Sequence, residues 1–168
     1  MNKETTAKWI LAIILLFTPV LFCVDLALQD FAAGNGLDRA NNLLKLFNTS
    51  GMDNFPSWMM TSLMQKFWLT QTVPFMIWFI ALTGPEPSPF RRSENPLYSI
   101  LIYGVCGFVT YMASILLICA VIPFAASIVR AQQPGTPLEN VMNILDAAAI
   151  YTRLSFAAPM KVLPETYA

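Results

Sequence analysis

Asp25, Lys66 and Arg130 each stand at the edge of a long apolar run, and their chemistry follows from that position. A carboxylate near lipid is costly unless a cation neutralises it. Asp25 is therefore expected to pair with Lys66 or Arg130 at one interface and so to orient the helices that carry them. Proton transfer is the sharper alternative for Asp25, because acids inside a membrane mark proton paths. No second acid in the apolar segments continues such a path, which favours the pair. Glu86, Glu94, Asp30, Asp38 and Asp53 show neither metal-ligand nor acid-base spacing and read as solvated surface charge.

The chain has no histidine, which removes the usual ligand for haem and zinc and the commonest general base. Cys23, Cys106 and Cys119 lie in apolar stretches without a CxxC pair and read as small apolar side chains. Nine Met and twelve Phe would suit a pocket for quinone, carotenoid or lipid, but packing accounts for them equally. No cofactor or metal is expected. Ten basic residues balance ten acidic ones and form no basic stripe, so no nucleic-acid partner is expected.

At 56% hydrophobic and 12% charged, the composition is that of an all-α integral membrane protein with a single membrane domain. Residues 97–129 contain no Asp, Glu, Lys, Arg, Asn or Gln. About 20 such residues cross a ~30 Å hydrocarbon core, and Pro123 should kink or end the helix, so the span is placed at 99–122. At 100° per residue, Ser99, Tyr103, Gly107, Thr110 and Ser114 share one face, flanked by Gly104 and Tyr111. Leu101, Val105, Phe108, Met112, Leu116 and Cys119 lie opposite. The small and hydroxyl face is expected to pack on protein and the bulky face on lipid.

Two further spans are expected, at 9–28 with a bend at Pro19, and at 67–83. Starting the latter at Trp58 would carry Lys66 into the bilayer at roughly 2.5 to 3.5 kcal/mol. Thr70, Gln71 and Thr72 make its first half polar, and a hydroxyl there could satisfy the carbonyl freed by Pro74. Between the first two spans, residues 29–65 form an extracytoplasmic loop. In it Leu37, Ala40, Leu43, Leu44 and Phe47 mark a short amphipathic surface helix. Lys3, Lys8, Arg91 and Arg92 place the N-terminus and the proline-rich loop 84–97 in the cytoplasm and the C-terminus outside, in a bacterial inner membrane.

The extracytoplasmic tail, 131–168, carries the sharpest local signal. Thr136, Pro137 and Glu139 match the cap, first and third positions of a helix. Leu138, Val141, Met142, Leu145 and Ala148 give that helix a docking face, and it is expected to end near Leu154. Three spans with unpartnered amphipathic segments suit a non-catalytic accessory subunit of a multi-subunit membrane complex, respiratory, photosynthetic or secretory. Its expected partners are other membrane subunits, in a hetero- or homo-oligomer, and lipid. The alternative is a channel or conduit component of a transport, secretion or conjugation system, with Gln71 and the hydroxyl stripe lining a wet path.

Overall fold

Residues 3–51, 54–83 and 96–167 are described by a computed structural model of the chain. Among them there is helix and turn but no strand: α1 (Lys3–Phe22), α2 (Val24–Ala32), α3 (Asp38–Ser50), α4 (Ser57–Phe67), α5 (Val73–Thr83), α6 (Pro96–Gln132) and α7 (Pro137–Tyr167). A π-helical segment, Trp68–Thr72, joins α4 to α5 without a break. Loop residues 84–95, with Glu86, Arg91, Arg92 and Glu94, and Asp53 lie outside the described residues.

Two helical stretches among the described residues are long and apolar enough to cross a membrane, Thr6–Ala32 and Gly104–Gln132. The expected span 9–28 falls within the first, and the expected span 99–122 overlaps the second from Gly104 onward. The expected span 67–83 does not form a third stretch of this kind. It is the second half of a rod running from 57 to 83, and Lys66, Thr70, Gln71 and Thr72 break its apolar character midway.

The first of the two stretches is divided at Cys23, four residues past Pro19. There the Cys23 N–H closes a tight turn on the Val20 carbonyl at 3.1 Å before α2 resumes. The end of α2 is fixed by Asn35, whose N–H reaches the Asp30 carbonyl at 2.9 Å, and by Gly34 at φ 76°, which only a residue without Cβ adopts freely. α3 buries Ala40 and packs Leu37, Leu43, Leu44 and Phe47 on the chain's own core. The amphipathic helix read from the sequence is therefore partnered within the chain.

α6 does not end at Pro123. A proline costs one helical hydrogen bond, here that to the Cys119 carbonyl, and the helix continues to Gln132. α7 begins where the capping signal places it. The Glu139 N–H bonds Thr136 Oγ1 at 3.3 Å, and the Gly135 N–H bonds Glu139 Oε2 at 2.6 Å.

The rest of α7 overturns the reading of 131–168 as an appended tail. The helix is 31 residues long and runs past Leu154 to Tyr167. Every residue from Asp146 to Thr152 is buried, so α7 is enclosed on all sides over these two turns, while Arg153 just beyond them is exposed. Ala147, Ala148 and Ala149 allow this, because side chains without bulk let several helices approach at once. α7 packs on α6, α4, α2, α1 and α3 and is the centre of the fold. Of the expected docking face, Leu138 and Val141 are about half exposed, at 47% and 52%, while Met142 and Leu145 are half-buried.

The long elements alternate in direction. α1 and α2 run one way, and α4 to α5 return along them, packing α5 on α1 and bringing Lys66 to Asp25. α6 runs back up, with Gly107 against Phe79 and Tyr111 against Thr70. α7 descends along α6, with Asp146 on Arg130. The result is an up-down-up-down bundle with α3 packed at the end where α2 finishes.

Candidate functional site

Polar side chains gather in two places, a tier of ion pairs at the α3 end and a smaller knot deeper in the bundle. In the tier, Lys66 Nζ lies 2.5 Å from Asp25 Oδ2, joining α4 to α2. Asp25 is half exposed, and pairs of this kind contribute about 0–1 kcal/mol. Arg130 does not join them. Its Nε donates to Asn143 Oδ1 at 2.6 Å and its Nη2 pairs with Asp146, which is 4% exposed, so it binds α6 to α7.

Asp30 is the most buried carboxylate of the tier, at 2% exposure. Arg39 Nη1 donates to its Oδ1 at 2.9 Å, and the Tyr151 hydroxyl donates to its Oδ2. The Arg39 guanidinium also stacks over Trp58, 4.6 Å from the ring centroid. Four residues thereby tie α2, α3, α4 and α7. The expectation that Asp30 is solvated surface charge is corrected by its place on the inner stripe of α2, with Leu26 and Ala27. That stripe is visible in the sequence once the helical period is carried past Asp25. Tyr151 carries no comparable signal.

The knot consists of Thr70, Gln71 and Tyr111, all buried. Pro74 cannot supply the N–H that would otherwise meet the Thr70 carbonyl. The Tyr111 hydroxyl approaches that carbonyl instead, at 3.4 Å, a long and weak contact. Gln71 Nε2 donates to Thr70 Oγ1 at 3.1 Å, and Gln71 Oε1 receives no hydrogen bond within the protein. The backbone adapts through a π turn in which the Val73 N–H reaches the Trp68 carbonyl. Phe75 and Trp78 enclose the Tyr111 ring at centroid distances of 5.8 and 5.6 Å.

α6 faces the core with Tyr111, Ile115, Cys119 and Ala126, which corrects the placing of Cys119 on a lipid side. The small-residue stripe lies on average about a third of a turn away from that face at ~100° per residue. Thr110 is exposed, Ser114 is half-buried and bonds back to the Thr110 carbonyl at 2.8 Å, and a Cβ on Gly104 would meet nothing within 4 Å. Gly107 differs from these, since a Cβ there would sit 3.6 Å from the Phe79 ring. The side chains of Ser99 and Tyr103 lie outside the described residues. Phe108 is 42% exposed and meets Phe75 edge to face at 5.5 Å.

Neither cluster has the form of a reaction centre. Both carboxylates buried in the tier are held by donors from other helices, and the knot is made of neutral groups. Among the described residues no three His, Cys, Asp or Glu side chains gather as metal ligands. An open groove of about 650 Å³ runs along α3, lined by Asn35, Asp38, Arg39, Asn42 and Leu46 among others. Its lining is mixed, with Leu43 and Leu46 beside the polar side chains, and it is open to solvent. Comparison with family models, curated proteins and solved structures finds no match to this chain.

Proposed function

We propose that this chain is a non-catalytic accessory subunit of a larger membrane complex. The observation that carries the reading is the use made of the buried carboxylates: Asp30 and Asp146 are both spent on ties between helices. Such ties fix the mutual position of helices, which is what a scaffold requires. Apolar side chains on the outer faces of α1 and α6, among them Ile10, Ile14, Leu21, Leu117 and Phe124, supply a lipid-facing belt. Gly104, Thr110 and Ser114 on α6 offer a flank on which a partner helix can approach closely.

In this proposal three segments cross the membrane, α1 with α2, the 67–83 part of the α4–α5 rod, and α6. Lys3, Lys8, Arg91 and Arg92 place the start of α1 and the loop before α6 on the cytoplasmic side of an inner, plasma-type membrane. The subunit binds other membrane subunits and lipid and holds no cofactor of its own. The conduit alternative is disfavoured because Thr70 and Gln71 are enclosed by the chain itself rather than lining an open path. Extraction in a mild detergent followed by native-gel separation tests the reading. The chain is expected in a band well above its own 18.7 kDa, with other membrane proteins. Migration as a lone chain, or as a ring of identical copies, would overturn it.

A further inference from the structure

We infer that residues 146–167 of α7 are a further membrane-crossing helix, antiparallel to α6, which returns the chain to the side on which α1 begins. The inference rests on the membrane reading of α6 and concerns a segment that the sequence places outside the bilayer. α6 and α7 are joined by the short turn 133–136, and Arg130 contacts Asn143 and Asp146 across it. Those contacts fix the register of the hairpin, so that each step from Arg130 back along α6 is matched by a step forward along α7. The part of α7 beside the stretch Gly104–Gln132 is then 146–167. If that stretch of α6 crosses a bilayer, α7 lies at the same depth. At ~1.5 Å per residue, 146–167 reaches about 33 Å, close to the ~30 Å hydrocarbon core.

The opposite reading requires α7 to leave the bundle, yet its interior side chains meet the two membrane-competent stretches directly. Tyr151 bonds Asp30, Ala147 to Ala149 are wholly buried, and Leu154 and Ala158 belong to the same core as Val20, Cys23, Ile115 and Cys119. Asp146, Arg153, Lys161 and Glu165 explain why composition alone does not mark α7 as a span. Each charge at a helix centre costs about 2.5–3.5 kcal/mol on insertion scales. The inner face of α7 is held by contacts with other helices rather than by its own hydropathy, while Arg153 is exposed on the outer side and reaches the membrane surface only by extending its long side chain. All three ion pairs of the tier then lie near one membrane surface.

Single cysteines at Gln133 and Tyr167 test the inference in the full-length chain, using a membrane-impermeant maleimide on sealed vesicles. The native cysteines lie inside the spans, and the wild-type chain sets the background. Gln133→Cys is expected to label from one side only and Tyr167→Cys from the opposite side only. Labelling of both from the same side, in a chain that resists alkaline carbonate extraction, would overturn the fourth crossing. Labelling of Tyr167→Cys from neither side would do the same. Release of the chain by carbonate would overturn the membrane reading itself.

Discussion

The Tyr151 hydroxyl of α7 donates a hydrogen bond to Oδ2 of Asp30 in α2, a residue 121 positions earlier in the chain. With Arg39 on the other carboxylate oxygen, the contact closes the tier around a buried charge.

Tyr151→Phe is expected to lower stability by about 1–3 kcal/mol, because it strips a donor from a buried carboxylate. Asp25→Asn is expected to cost less than about 1 kcal/mol, since its pair with Lys66 is partly exposed. Thermal or urea unfolding in detergent measures both. An equal cost for the two variants would remove the distinction between buried and exposed ties.

Arg130→Ala leaves Asp146 buried without its cation, and the expected loss is about 2 kcal/mol, below the ~3–5 kcal/mol of a fully buried pair because Arg130 is partly exposed. The double variant Arg130→Met with Asp146→Leu is expected to recover most of that loss. Unfolding curves of the single and double variants decide it. A double variant no better than Arg130→Ala would contradict the ion-pair account of this contact.

Gln71→Met replaces a buried amide, whose oxygen has no donor, by an apolar side chain of similar size. Stability is expected to be unchanged or raised by up to about 1–2 kcal/mol. A clear loss would show that Gln71 Oε1 is satisfied in the working protein and that the π turn holds something besides its own side chains.

What the sequence makes legible here is local. Thr136 and Glu139 mark the start of α7, and the stripe from Leu37 to Phe47 marks α3, because caps and one-sided burial leave periodic signals. The role of α7 is not legible in the same way. Its stripe from Leu138 to Ala148 reads as one docking face, but over 146–152 the helix is buried all round and its three alanines leave no one-sided signal, so the central helix reads as a tail. Asp30 misleads for a related reason. A charge reads as solvent-exposed until its partner is known, and Tyr151 and Arg39 come from other helices. The π turn follows partly from Pro74, but the hydroxyl that answers the freed carbonyl belongs to Tyr111 on α6.

Gly107→Leu is expected to destabilise the fold by about 1–3 kcal/mol, because its Cβ would already be in contact with the Phe79 ring and the branch beyond it must find room beside Phe79 and Phe75. Phe108→Leu loses an edge-to-face contact with Phe75, about 0.5–1.5 kcal/mol. Unfolding temperatures in detergent order the two, and a milder effect at Gly107 would contradict the close approach of α5 and α6.

The claim that the chain is a subunit held by its neighbours is tested most directly on the open flank of α6. Gly104→Leu combined with Thr110→Leu adds bulk where a Cβ meets nothing and where the side chain is exposed, so the isolated fold has no reason to change. Native gels of wild type and double variant, run beside unfolding curves, give the answer. The expected result is loss of the variant from the high-mass band at an unchanged unfolding temperature. A variant that stays in that band at wild-type yield would contradict the assignment of this flank to a partner helix.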